Sequence, residues 1–183
     1  MRKETMAKKK RKNTKAPVKG AQCLNLLRTG SLLGFFFGLF MGAIYIDFLS
    51  PSLLQPLFLY WGLALLVMGA GMLCVYTLSL KPKHAFGGMM LLASAFFSAN
   101  AALGLLPSLG LLEVAVQALA VVAFSLLLYE IGKDRPGSGL EIAGGLIFLG
   151  VIFQILSAPL MEAIGVFLLA AGFLLASGRL ARL

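Results

Sequence analysis

The stretch TGSLLGFFFGLFMGAIYI, Thr29–Ile46, runs for eighteen residues without a charge and stops at Asp47. As a helix it covers about 27 Å at 1.5 Å per residue, close to the ~30 Å of hydrocarbon in a bilayer. Five further uncharged or nearly uncharged runs of similar length follow, so the sequence predicts an all-α polytopic membrane protein. The six expected spans are Thr29–Leu49, Leu57–Leu80, Ala85–Leu106, Leu111–Glu130, Glu141–Ser157 and Leu160–Gly178. Composition agrees. Apolar residues make up 60% of the 183 residues and charged residues 13%, with a mean hydropathy of +0.93, more apolar surface than one soluble core of this size could enclose.

The basic residues sort onto one side of these spans. Nine of the sixteen precede Cys23, and Arg28 stands at the mouth of the first span. Lys81 and Lys83 separate spans two and three, Lys133 and Arg135 separate four and five, and Arg179 and Arg182 follow the sixth. The turns around Pro51, Pro107 and Pro159 carry none. The positive-inside rule then puts both termini in the cytoplasm and the proline turns outside, with a prokaryotic plasma membrane as the expected location. A cleaved signal peptide is disfavoured, because its apolar region would run about 7 to 15 residues before a small-x-small site.

Residues 1–23 read as a basic, disordered cytoplasmic arm and 24–183 as the six-helix domain. Lys8, Lys9, Lys10, Arg11 and Lys12 resemble a nucleic-acid or nuclear-import run, but in front of a membrane span they are better read as contacts to anionic lipid headgroups; no nucleic-acid partner is expected. Cys23 and Cys74 form no motif and are read as small apolar-tolerant residues, not as a disulfide. His84, the single histidine, has no Cys, Asp or Glu cluster around it in sequence, so neither a metal nor a cofactor is expected.

Three features could carry function. Gly30, Gly34, Gly38 and Gly42 recur at four-residue spacing on one face of the first span, a strip that lets another helix approach closely. Its simplest partner is a helix of the same chain; a homo-oligomer or a membrane partner subunit is the alternative. Polar residues inside a bilayer are costly and draw functional attention: Asn100 precedes Pro107 by seven residues, Glu113 follows it by six and Gln117 by ten. A tight hairpin would set Asn100 and Glu113 at one depth, within hydrogen-bonding reach. Finally, Asp47, Glu113 and Glu162 are the only charges expected outside, one per hairpin. They could gather into a proton- or cation-binding ring, or sit apart as helix-end carboxylates, since Glu113 and Glu162 fall in first turns, where the helix dipole favours negative charge. Tyr45, Tyr60, Trp61, Tyr76 and Tyr129 are placed as interfacial belts, and the fourteen Phe residues as lipid-facing and interhelical packing.

The spans pair into three hairpins, and Gly87-Gly88 and Gly144-Gly145 open the second and third alike, which suggests an internal repeat. The segments Gly144–Gly150, Leu156–Leu160 and Gly165–Gly172, with a fainter echo from Gly87 to Lys133, resemble the HdeD-type acid-resistance membrane proteins. That resemblance implies an all-helical hairpin architecture and a stress-associated role, and brings no catalytic residues with it. In size, helix number and the small-residue face of the first helix, the chain is also similar to the vitamin-capture subunits of energy-coupling transporters, although its short apolar outer turns depart from their ligand-seating loops.

No activated Ser or Cys, no His-Glu-x-x-His and no paired aspartates point to catalysis. The sequence therefore reads as a non-enzymatic membrane protein acting through helix contacts, stress-associated or accessory. The alternative is a small-solute or proton-coupled transporter or a substrate-capture subunit. A cavity reaching Asn100, Glu113 and Gln117 from outside would favour the latter.

Overall fold

The computed structural model describes residues 16–156 and 158–183. Six helices follow in order: α1 Ala16–Tyr45, α2 Leu54–Ser79, α3 Pro82–Leu103, α4 Leu111–Asp134, α5 Leu140–Ile155 and α6 Pro159–Leu180, with one 3-10 turn at Pro51–Leu53. No strand occurs among the described residues. Five of the helices are long and apolar enough to cross a bilayer; the sixteen-residue α5 is the short one, about 24 Å long. The all-α polytopic membrane fold expected from the sequence is the fold observed.

Local signals set the boundaries. Leu80 closes α2 in the left-handed region at φ 55°, its N–H donating to Tyr76 O, and Pro82 opens α3 two residues later. The missing N–H of a proline costs nothing in a first turn. Pro159 opens α6 in the same way. Gly104, at φ 64°, ends α3, with its N–H donating to Asn100 O, the conformation a glycine adopts most readily after a helix.

Each helix packs on its neighbours in sequence, and α1 packs on α6, so the six close into a ring. Every helix contributes to the core inside it: Leu27 from α1, Leu65 and Met68 from α2, Leu91 from α3, Phe124 and Leu128 from α4, Ile147 from α5 and Phe173 from α6. Leu32, Phe36, Leu39 and Phe40 of α1 stay exposed on the outside, where acyl chains would cover them. The antiparallel order gathers Lys81, Lys83, Lys133, Arg135, Arg179 and Arg182 at one end of the ring, the basic end, and the three proline turns at the other.

Two expectations are corrected here. The arm does not extend to residue 23: α1 begins at Ala16. Cys23, Leu27 and Ser31, spaced by four, are all buried, so the helix packs on the bundle from Cys23 onward despite the polar residues between them. The second correction follows from the first. Cys23 and Cys74 are joined by a disulfide, with their Cα atoms 5.3 Å apart, tying α1 to α2 at the basic end. The expectation of two unpaired cysteines rested on their forming no motif in the sequence; the packing of α1 on α2 brings them together. Lys8, Lys9, Lys10, Arg11 and Lys12 lie outside the described residues.

The glycine strip is filled from within the chain. A Cβ added at Gly34 would lie 3.0 Å from the Phe173 ring, at Gly38 2.9 Å from Ala170 Cβ and at Gly42 2.9 Å from the Phe167 ring, all on α6, while Gly30 abuts Met68 of α2.

Candidate functional site: a cavity at the proline-turn end

Trp61 is the residue around which the site is built. It sits on the inward face of α2, one turn from buried Leu57 and Leu65, and is 6% exposed. The sequence assigns it to an interfacial belt; in the fold it is stacked on Phe37 of α1, with ring centroids 4.4 Å apart and planes 17° from parallel, and it meets Phe173 edge-on at 6.0 Å. Such aromatic pairs fix ring orientation beyond what area burial alone does.

Above these rings a cavity of about 460 Å³ opens between α1, α2, α4, α5 and α6. Its walls run from Leu111, the first residue of α4, down to Val121, about 15 Å along the helix. The lower walls are apolar, with Val121, Val151 and Leu169. Polar groups come in higher up: Gln117 from α4, Gln154 from α5, Glu162 from α6 and Tyr45 from α1. Volume and lining, mostly apolar with a few convergent polar groups, match those of small-molecule sites, which run about 300 to 1,000 Å³.

The polar groups are anchored to different degrees. Tyr45 Oη donates to Glu162 Oε2 at 3.2 Å, joining the end of α1 to the first turn of α6. Gln117 Nε2 lies 3.5 Å from Ser98 Oγ of α3, at the limit of a hydrogen bond. Gln154 is exposed toward the cavity side of α5.

The candidate residues taken from the sequence are thus divided. Gln117 and Glu162 line the cavity; Asn100 and Glu113 do not. Asn100 serves the turn after α3: its Nδ2 donates to Leu106 O at 3.2 Å and its Oδ1 accepts from Leu106 N at 2.7 Å. Glu113 turns back on its own helix start, accepting from Leu109 N at 2.8 Å and from Ser108 Oγ at 3.4 Å. The expected Asn100–Glu113 contact is absent because α3 ends at Leu103 and α4 begins only at Leu111, leaving a connection wide enough for each side chain to close its own side. Asp47 is exposed in the turn after α1, at φ 58°. Asp47, Glu113 and Glu162 share no hydrogen bond among the described residues, so a single acidic ring is not formed by direct contact.

At the opposite end the structure brings together what the sequence left scattered. Glu130 of α4 pairs with Lys81 and, at 2.6 Å, with Lys83. Buried His84 bridges Ser79 Oγ, 2.7 Å from its Nδ1, and Glu130 Oε2, 3.3 Å from its Nε2. The ion pair with Glu130 raises the Lys81 pKa above its usual 10.5. This cluster locks the α2–α3 turn to α4. Ser79 Oγ also receives the Lys81 N–H at 3.4 Å and is not among the walls of the adjoining cleft, so the Ser-His-Glu series reads as a turn lock, not as a nucleophile facing a substrate.

Set beside known proteins, the chain matches no family model, no curated protein and no solved structure.

Proposed function

We propose that this multi-pass membrane protein is a non-enzymatic binder of a small solute, a carrier or a capture subunit, and that the solute sits in the proline-turn-end cavity. The observation that carries the reading is the 460 Å³ cavity itself, with Trp61 and Phe37 at its base and Gln117, Gln154, Glu162 and Tyr45 around it. An accessory role through the glycine face of α1 has less support, because α6 and α2 already occupy that face.

The solute class follows from the lining. The proline-turn end holds Asp47, Glu113 and Glu162 and no Lys or Arg, so an anion would meet uncompensated like charge. A neutral or cationic solute with a planar apolar part fits better: it stacks on Trp61 and Phe37, gains cation–π attraction if charged, and reaches the two glutamines with donor or acceptor groups. With the basic end facing the cytoplasm under the positive-inside rule, the cavity faces outward, as solute capture requires.

Trp61 is the only tryptophan in the chain, so its fluorescence reports on this cavity alone. The purified full chain is titrated with a panel of small heteroaromatic and alkylammonium solutes and, as a control, with carboxylates of matched size. A saturable change with a neutral or cationic member, abolished in Gln117→Leu, is expected. Saturation by the carboxylates alone, or a response unchanged in Gln117→Leu, would overturn the reading.

A further inference from the structure

A second cavity, independent of the solute site, lies at the basic end between α3 and α4, which touch least of all the adjacent helix pairs. Its volume is about 650 Å³. Gly87 lets Met72 of α2 and Ala123 of α4 close its base: the methyl end of Met72 fills the place a side chain at Gly87 would take, and a Cβ there would stand 3.1 Å from Ala123 Cβ. One wall is Phe86 of α3, the other is Leu119, Val122 and Leu126 of α4, and Met72 of α2 forms the floor. Phe86, Leu119 and Leu126 are exposed on the outer surface of the bundle, so the cleft opens sideways, toward lipid.

The cleft is polar at one end only. Lys83, His84, Glu130, Lys133 and Asp134 form its rim. Glu130 is already matched by Lys81, Lys83 and His84, whereas Lys133 makes no salt bridge among the described residues. With Lys81 beside it, the rim sets three lysines against two carboxylates, an excess of positive charge. From Leu119 to Glu130 the apolar wall runs about 16 Å along the helix, close to the ~15 Å of hydrocarbon in one leaflet. The lysines then stand at headgroup depth.

We propose that this cleft is a binding site for an anionic glycerophospholipid, one acyl chain lying along Leu119, Val122 and Leu126 and the phosphate held by Lys83 and Lys133. The length of the apolar wall selects a membrane lipid over a free phosphate, and the charge of the rim selects an anionic headgroup over a zwitterionic one. Basic residues at headgroup level attract anionic lipid through the same electrostatics that orients basic loops.

Native mass spectrometry of the full chain, delipidated and then offered equal amounts of phosphatidylglycerol and phosphatidylcholine of identical acyl chains, tests the assignment. Each lysine is expected to favour the anionic lipid about fivefold. The preference should therefore fall about fivefold in Lys133→Gln, which breaks no ion pair among the described residues, and should approach parity in Lys83→Gln/Lys133→Gln. Arg182→Gln, outside the cleft, should leave it unchanged. Equal adducts of the two lipids on the unaltered protein would overturn the proposal, and so would a preference that survives in the double variant.

Discussion

Tyr45 and Glu162 are 117 residues apart in the chain, yet the phenol donates to the carboxylate at 3.2 Å, and both side chains line the same cavity. The bond holds the last residue of α1 against the first turn of α6 at the mouth of the proposed solute site. Tyr45→Phe removes the donor and keeps the ring. It should cost about 1 kcal/mol of stability or less, the usual net worth of an exposed hydrogen bond, while weakening solute binding through a less ordered Glu162. Thermal melting in detergent, read beside Trp61 titrations, separates the two effects; a large stability loss with unchanged binding would contradict a role at the mouth.

Gly38 faces Ala170 so closely that a single added methyl would stand 2.9 Å from its Cβ. Gly38→Leu must then push α1 away from α6, and overpacking of this kind costs about 1 to 3 kcal/mol. The expected result is a lower melting temperature with an unchanged oligomer size by light scattering. A change in oligomer size without loss of stability would mean that the strip serves another subunit.

In protein purified without reductant, neither Cys23 nor Cys74 should react with a maleimide until the chain is reduced. Cys74→Ala should lower thermal stability, because the bond closes 51 residues of chain; the loop-entropy model allows about 4 kcal/mol for that length. Disulfides persist in oxidising compartments, and this one lies at the basic end, which the proposed topology sets in the cytoplasm. Maleimide labelling of intact cells, quenched before lysis, should therefore find the pair reduced. Absence of labelling there would move the basic end to the oxidising side.

Asn100→Ala removes both hydrogen bonds to Leu106 and leaves the exposed turn after α3 without its clasp. A loss of about 1 to 3 kcal/mol is expected, the net worth of two hydrogen bonds, with solute binding at Trp61 intact. Loss of binding at full stability would return Asn100 to the site.

The Lys81–Glu130 pair gives a pH dependence of definite sign. Its folded-state pKa is raised above 10.5 by the partner carboxylate, so the stabilisation is fully present below 10.5 and is lost as pH rises through the higher folded value. Melting temperatures should therefore separate wild type from Lys81→Met at pH 8 and converge in strong alkali. A difference that grows with pH would be of the wrong sign.

The fold was legible because long apolar runs end in charges or prolines, and in a bilayer such runs have few alternatives to helix. The start of α1 was not legible: Lys19, Gln22, Asn25 and Arg28 hide the buried face of Cys23, Leu27 and Ser31, and with it the disulfide. The cavity was half legible. Gln117 and Glu162 stand out as polar residues in apolar surroundings, but Tyr45 and Trp61 resemble belt aromatics until the ring of helices turns them inward. Asn100 and Glu113 attracted attention for the same polarity, which the turn between α3 and α4 consumes.

The contact of α1 with α6 has a consequence for how the chain is made. Gly34, Gly38 and Gly42 belong to the first of these six helices to be synthesised, and Phe173, Ala170 and Phe167 to the sixth. Throughout synthesis of the intervening helices the glycine groove has none of its native α6 partners, and the cavity lacks one of its five walls. Insertion of α6 is thus the event that completes the cavity, and a chain stopped before Pro159 would stand in the membrane as an open crescent.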